Sequence, residues 1–99
     1  MYRAIFTIVD RGKAEYVMDA ATRAGAKGGT IINARGSGIH ETNKLFSMAI
    51  EPEKEMVMVL SEKNSVDAIV SSIRQKLEID EPGKGIIFVQ DVSKAYGLR

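Results

Sequence analysis

Two glycine-rich segments are the residues of this sequence best suited to binding an anion. They are Arg35-Gly36-Ser37-Gly38 and Pro82-Gly83-Lys84-Gly85. Glycines let the backbone turn sharply and present N–H groups to an anion, and a lysine between glycines can approach phosphate oxygens closely. The second segment lacks the spacing of a P-loop. Taken alone, each segment is also explained by an ordinary surface turn.

His40 is the only histidine in the chain and the only candidate for metal or proton chemistry. Glu41 follows it directly, and an imidazole with a carboxylate can bind a metal ion. The chain has no cysteine and no second histidine, so we interpret His40 as a histidine of a surface loop in preference to a metal ligand or a base. Because no nucleophile and base form a recognisable pair, we expect the protein not to be an enzyme.

The composition favours an ordinary soluble domain. The chain has 99 residues, 44% of them hydrophobic, and a net charge of +1 from 14 basic and 13 acidic residues. We therefore expect one domain over residues 1–99 and no nucleic-acid partner. The N-terminal apolar segment is too short for a signal peptide, and no apolar run reaches the roughly 20 residues that span a bilayer. The absence of cysteine fits a reducing compartment, so we predict a cytoplasmic protein without membrane insertion.

Hydrophobic periodicity predicts alternating strands and helices. Residues rich in Ile, Val and Phe predict strands, and apolar residues three and four apart predict helices. Asn64 is a candidate N-cap for the second helix. By contrast, the charges around Pro52, namely Glu51, Glu53, Lys54 and Glu55, are interpreted as a solvated turn. The predicted strands are 2–9, 30–35, 56–60 and 86–89, with an extended segment within 45–50 and helices over about 13–24 and 64–77.

The order strand, helix, strand, strand, helix, strand is typical of the ferredoxin-like α+β fold. It predicts a four-stranded antiparallel sheet with two helices on one face. The other face of the sheet would then carry many apolar side chains with nothing to cover them. Such a face predicts self-association.

Taken together, the segments resemble the PII nitrogen-regulatory signalling family across nearly the whole chain. The resemblance is carried by Gly28-Gly29-Thr30, by Gly36-Ser37-Gly38, and by residues 82–92. The last of these is similar to the glycine-rich B-loop of the family and the core strand that follows it. The predicted second helix also fits the family pattern.

The resemblance implies a signalling homotrimer that binds an adenine nucleotide (ATP, ADP or AMP, with or without Mg²⁺) in clefts between subunits. Thr30 would lie near the adenine, Gly36–Gly38 would wrap the nucleotide from one subunit, and Gly83–Gly85 would hold the phosphates from the neighbour. His40 stands where the family usually has a glutamine that helps to hold the metal. The nucleotide-binding residues implied are Thr30, Gly36, Ser37, Gly38, His40, Gly83, Lys84 and Gly85.

The resemblance also implies that residues 37–50 are the T-loop, which in the family engages a regulated enzyme or membrane transporter. This loop is shorter than in typical members, and Phe46 replaces the tyrosine that the family modifies. We therefore expect a different partner, with a membrane transporter as the leading hypothesis by analogy. The residues expected to contact that partner are Glu41, Thr42, Asn43, Lys44 and Phe46.

Three departures from the family pattern reduce the expected number of cationic contacts to phosphate. Ile39 and Ile86 replace an arginine and a lysine, and the sequence ends at Arg99 before the usual C-terminal arginines. Each lost charge-assisted bond is worth about 1.5–3 kcal/mol, so we expect weaker triphosphate binding than in typical members. The alternative hypothesis is a metal-binding trimer of the copper-tolerance type on the same fold, supported by His40 and Glu41.

Overall fold

The protein is described by a computed structural model that covers residues 1–37, 44–45, 48–49 and 52–98. Strands and helices follow one another in the predicted order, with one additional short hairpin formed by β3 and β4. The elements are β1 (Tyr2–Asp10), α1 (Ala14–Arg23), β2 (Thr30–Arg35), β3 (Lys44–Leu45), β4 (Met48–Ala49), β5 (Glu53–Glu62), a 3-10 turn (Lys63–Ser65), α2 (Val66–Leu77) and β6 (Ile86–Val92).

The four long strands form one antiparallel sheet in the order β2-β5-β1-β6. Ile5 in the centre of β1 is paired with Val59 of β5 on one side and with Val89 of β6 on the other. With two helices packed on the sheet, this order is the ferredoxin-like α+β fold, so the predicted fold class is confirmed.

The core lies between the helices and one face of the sheet. Successive strand residues point to opposite faces, so Ile5 and Val9 of β1 lie on the same side as Val57 and Val59 of β5. All four are at most 1% exposed. Burying each such side chain contributes about 1.5–3 kcal/mol. The helices complete this core with Ala14, Val17, Ala20, Ala21, Ile69 and Ile73.

The opposite face of the sheet is apolar and open. Phe6 of β1 stacks on Phe88 of β6, with ring centroids 4.9 Å apart. Phe88 keeps 38% of its surface exposed, and Ile86 on the same face keeps 55%. Ile32 of β2 extends this apolar surface toward the other edge of the sheet. The sequence-based expectation of an uncovered apolar face therefore agrees with the structure.

The helix ends differ in how well the sequence indicated them. Gly25 takes a φ of 110° after α1, and Ala26 N–H bonds the Ala21 carbonyl at 2.9 Å, which closes the helix end. Glu78 takes the same left-handed role after α2, with a φ of 54°. The prediction of Asn64 as an N-cap is wrong: Asn64 lies inside the 3-10 turn, whose own hydrogen bonds lead into α2.

The charged residues at the beginning of β5 are part of the sheet, so their interpretation as a solvated turn is wrong. Glu53, Lys54 and Glu55 each bind a residue at the end of β1 or in the connection between β1 and α1. Glu53 pairs with Arg11, and the Lys54 ammonium lies 2.6 Å from the Asp10 carboxylate. Glu55 accepts hydrogen bonds from the backbone N–H groups of Gly12 and Ala14, at 2.9 and 3.0 Å. Glu51, from the same predicted cluster, lies outside the described residues.

Candidate functional site

One end of the sheet holds a cleft of about 580 Å³, which we call the glycine cleft. Because the sheet is antiparallel, β2 and β1 end where β5 and β6 begin, so all four strands contribute to the same end. The volume falls within the roughly 300–1,000 Å³ typical of small-molecule sites. The cleft is lined by Ile8, Ala34, Arg35, Gly36, Ser37, Lys54, Met56, Ile79, Asp80, Glu81, Pro82, Gly83, Gly85 and Ile86.

The two glycine-rich segments singled out in the sequence meet in this cleft within a single chain. Gly36 and Ser37 line it from the end of β2, and Gly83 and Gly85 line it from the loop before β6. A neighbouring subunit is therefore not needed to bring them together, contrary to the arrangement implied by the family resemblance. The β2 end is fixed because the Gly36 N–H donates to the Pro52 carbonyl at 3.1 Å.

Glycine occupies three positions of the cleft for different structural reasons. A Cβ on Gly85 would lie 2.6 Å from the Ile8 carbonyl oxygen, so the fold itself requires a glycine there. Gly83 has a φ of 78°, which favours glycine whatever its surroundings. Gly36 has neither reason: its φ is ordinary, and among the described residues nothing lies within 4 Å of an added Cβ. A ligand that approaches the backbone closely would explain glycine at this position.

Two cations line the glycine cleft, and neither is among the nucleotide-binding residues predicted from the sequence, although Arg35 begins the first glycine-rich segment. Lys54 is nearly buried, with 10% of its side chain exposed, and pairs with Asp10. Arg35 makes no ion pair with any described residue, although Glu53 lies opposite it in the sheet register. Residues 53–55 are all charged, so no alternation of charged and apolar residues indicated that Lys54 belongs to the strand and not to a solvated turn.

One carboxylate of the cleft is balanced by a partner outside it. Arg74 at the end of α2 donates two hydrogen bonds to Asp80, at 2.8 and 3.2 Å. The hydrogen bond from Arg74 is the main cause that holds the pKa of Asp80 below its ordinary value. The carboxylate therefore stays ionised at neutral pH, and its charge is offset by the guanidinium.

Two of the predicted nucleotide-binding residues do not line the glycine cleft. Lys84 lines a separate cavity, together with Lys13 and Lys76. Thr30 begins β2, six residues before Gly36, so it lies about 20 Å away along the strand. Within one chain, Thr30 and the two glycine-rich segments are therefore at opposite ends of β2, with Thr30 paired to Met58 near the middle of the sheet.

Several predicted site residues cannot be placed. Gly38 and His40 of the predicted nucleotide site lie outside the described residues. The same holds for Glu41, Thr42, Asn43 and Phe46 of the expected partner loop, while Lys44 begins the short hairpin of β3 and β4. Within the described ranges no group of three or more His, Cys, Asp or Glu residues is placed to hold a metal ion.

These observations define a ferredoxin-like domain with a cleft at one end of its sheet, and this cleft is lined by both apolar and charged side chains. Residues 2–99 match the family "Nitrogen regulatory protein P-II". The chain therefore belongs to this family, and it is a PII-like signalling protein. The proteins of this family are regulators and not enzymes. The α-helices in the described part of the chain are α1 and α2, of 10 and 12 residues, and neither could span a bilayer.

A curated relative agrees with the family assignment. The chain is 28% identical over 98 residues to "Nitrogen fixation nifHD region GlnB-like protein 1" of Methanothermococcus thermolithotrophicus. The matched region covers 98% of this chain and 93% of the relative. The similarity therefore extends over the whole sheet and both helices, including both glycine-rich segments.

Proposed function

We propose that the protein is a cytoplasmic PII-like regulator whose glycine cleft binds an adenine nucleotide. The cleft offers apolar side chains for a base, from Ile8, Met56 and Ile86, and the Arg35 guanidinium for phosphates, whereas Lys54 is already paired with Asp10. Backbone N–H groups of glycine-rich loops are suited to phosphate oxygens. The observation that carries the proposal is Gly36, whose missing side chain leaves room that the described fold does not use.

The proposed assembly is a homotrimer, formed through the open apolar face of the sheet. Family membership supports a trimeric regulator. The stack of Phe6 and Phe88 supplies exposed apolar surface, and burying this surface between subunits would favour association. In such an assembly, Thr30 would reach a nucleotide only in the cleft of a neighbouring subunit. In this arrangement, Thr30 of one subunit would complete the nucleotide site of its neighbour, although within one chain it lies about 20 Å from Gly36.

The proposed output is regulation of a partner protein through residues 37–50, with a membrane transporter as the first partner to test. The nucleotide in the cleft would act on this segment directly, because Gly36 and Ser37 line the cleft where the segment begins. Removing residues 38–44 should impair capture of such a partner and leave the fold and the homotrimer intact. Loss of the fold in that variant would instead show that the segment is structural.

Nucleotide binding is tested by calorimetric titration of ATP, ADP and AMP, each with and without Mg²⁺. We expect saturable binding with one site per chain. The Gly36→Ala variant should bind about tenfold more weakly or worse, a loss of about 1.4 kcal/mol, because the added methyl group fills the approach to the backbone. Its thermal stability should remain close to that of the wild type, since the Cβ meets no described atom.

The control is Gly97→Ala, which adds a methyl group away from the glycine cleft. Because Gly97 has a φ of 84°, this variant should lose some stability, so it also shows whether a destabilised chain still binds nucleotide. It should bind nucleotide as the wild type does. The proposal is wrong if no nucleotide binds the wild type in calorimetry and equilibrium dialysis. It is also wrong, for this cleft, if Gly36→Ala and Gly97→Ala bind with equal affinity.

A further inference from the structure

A second cavity, of about 520 Å³, lies on the other side of the loop that precedes β6. We call it the lysine cleft. Lysines reach it from three separate elements: Lys13 from the beginning of α1, Lys76 from the end of α2, and Lys84 from the loop. The remaining lining residues are Asp10, Tyr16, Leu77, Glu78, Pro82 and Gly83.

Two of these lysines converge on one aromatic ring. The Lys13 ammonium lies 5.4 Å from the centroid of the Tyr16 ring, and the Lys76 ammonium lies 5.7 Å from it. Both distances are within the roughly 6 Å over which a cation is attracted to a ring face. The ring therefore brings two cationic side chains from different helices to one wall of the cleft.

The three lysines have no ion-pair partner among the described residues. Arginines 3, 11, 23 and 74 and Lys54, in contrast, are each paired with a carboxylate. Of the two carboxylates that line the lysine cleft, Asp10 is the partner of Lys54. Glu78 alone cannot neutralise three ammonium groups, so the cleft keeps an excess of positive charge.

We propose that the lysine cleft binds a small, multiply charged anion bearing phosphate or carboxylate groups. It is distinct from the nucleotide site proposed above, because only Pro82 and Gly83 line both cavities. Lysine ammonium groups bind either type of anion as point charges, and three of them around one cavity favour a ligand with at least two negative charges. The proposal does not depend on nucleotide binding in the glycine cleft.

The test titrates the wild-type protein with inorganic pyrophosphate and, separately, with citrate, at low ionic strength and without nucleotide. Binding is measured by calorimetry and by backbone amide NMR shifts. We expect saturable binding, with the largest shifts at Lys13, Tyr16, Lys76 and Lys84. Tighter binding of pyrophosphate would indicate a phosphorylated ligand and tighter binding of citrate a polycarboxylate, and either order supports the site.

Charge-matched variants separate a site from a general effect of net charge. Lys13→Gln and Lys76→Gln should each weaken binding about three- to tenfold, because each removes one contact to the anion. Lys63→Gln removes the same charge from the opposite end of β5 and should leave binding unchanged. Equal weakening in Lys76→Gln and Lys63→Gln would overturn the proposal, as would the absence of saturable binding by either anion.

A final variant distinguishes this site from the glycine cleft. Gly36→Ala should bind pyrophosphate as the wild type does, because Gly36 does not line the lysine cleft. If Gly36→Ala loses pyrophosphate binding and Lys76→Gln retains it, the anion binds in the glycine cleft, and the proposed site in the lysine cleft is wrong. Failure of nucleotide binding with retained pyrophosphate binding would overturn only the function proposed for the glycine cleft.

Discussion

Glu55 shows how one side chain of a strand can fix the beginning of a helix. Lys13 at the N-cap position of α1 makes no side-chain cap. The Glu55 carboxylate replaces it, accepting hydrogen bonds from the N–H groups of Gly12 and Ala14. A negative charge at this place also complements the positive end of the helix dipole. The connection that positions Asp10 and Lys13, which line the lysine cleft, therefore depends on a residue of β5.

Replacing Glu55 with alanine should lower the free energy of unfolding by about 0.5–2 kcal/mol, the usual cost of losing a helix cap. Glu55→Gln keeps a side-chain oxygen that can accept the same hydrogen bonds and should recover part of the loss. Urea unfolding of the three proteins measures the difference. If Glu55→Ala is as stable as the wild type, the two hydrogen bonds contribute nothing to folding.

Arg74 should control the titration of Asp80. Its hydrogen bond lowers the pKa of Asp80 in the folded state. The stabilisation from the pair is therefore present at neutral pH and is lost as the pH falls through that lowered folded-state pKa. In Arg74→Ala, the pKa of Asp80 should rise toward its ordinary value, as measured by carboxyl ¹³C NMR. An unchanged pKa in this variant would exclude Arg74 as the cause.

Arg23→Ala is the control for this titration. Arg23 pairs with Asp19 on the outer surface of α1, at 3.0 Å. Its removal takes away an exposed guanidinium of the same kind and should leave the pKa of Asp80 unchanged. A shift of Asp80 in both variants would indicate an effect of net charge and not of the hydrogen bond.

Strands and helices were predictable from the sequence because their periodicity reflects burial by this one chain. The stripe of Ile69 and Ile73 predicted α2. The strand over 30–35 agrees with β2 although most of its residues are exposed in the single chain, because its β-branched residues and flanking glycines indicated a strand. Long-range polar contacts were not predictable: Glu55 and Lys54 act on residues more than 40 positions away. For the same reason the two glycine-rich segments were recognised, but not their meeting within one chain or the contribution of Lys54.

The loop before β6 is held by its packing against the end of β1, and this contact can be tested at Gly85. A Cβ at this position would lie 2.6 Å from the Ile8 carbonyl oxygen, at a φ of 135°. We expect Gly85→Ala to be destabilised by about 1–3 kcal/mol from backbone strain, with a further loss because β1 and the loop must separate. Urea unfolding compared with the wild type measures the total.

Gly83→Ala is the matched control, because it carries the conformational cost without the collision. Gly83 has a φ of 78° and nothing described within 4 Å of an added Cβ. Its loss of stability should be limited to about 1–2 kcal/mol, the cost of a left-handed residue with a side chain. Equal losses in the two alanine variants would show that contact with Ile8 does not constrain the loop.

The molecule as a whole has two unequal layers. The helices bury one face of the sheet, and the other face keeps large apolar side chains such as Phe88 and Ile86 partly in water. With a net charge of only +1, electrostatic repulsion between copies of the chain is weak. Burial of this face between subunits is therefore the change expected to add most to the stability of a domain of this size.

Phe88→Asp should convert the proposed homotrimer into monomers. Phe88 lies on the open face in the edge strand β6 and stacks on Phe6 of the neighbouring strand β1, so a carboxylate there would be buried unpaired in an assembly that covers this stack. In the separate chain the same carboxylate reaches water, because Phe88 is 38% exposed, and the fold should persist by circular dichroism. Sedimentation equilibrium of both proteins at the same concentrations measures the change in mass.

Tyr16→Asp, an aromatic-to-acid change on the helix layer, should leave the assembly intact. A folded Phe88→Asp variant with the mass of the wild-type assembly would show that the subunits associate through another surface, and Thr30 would then have no defined route to a neighbour's cleft.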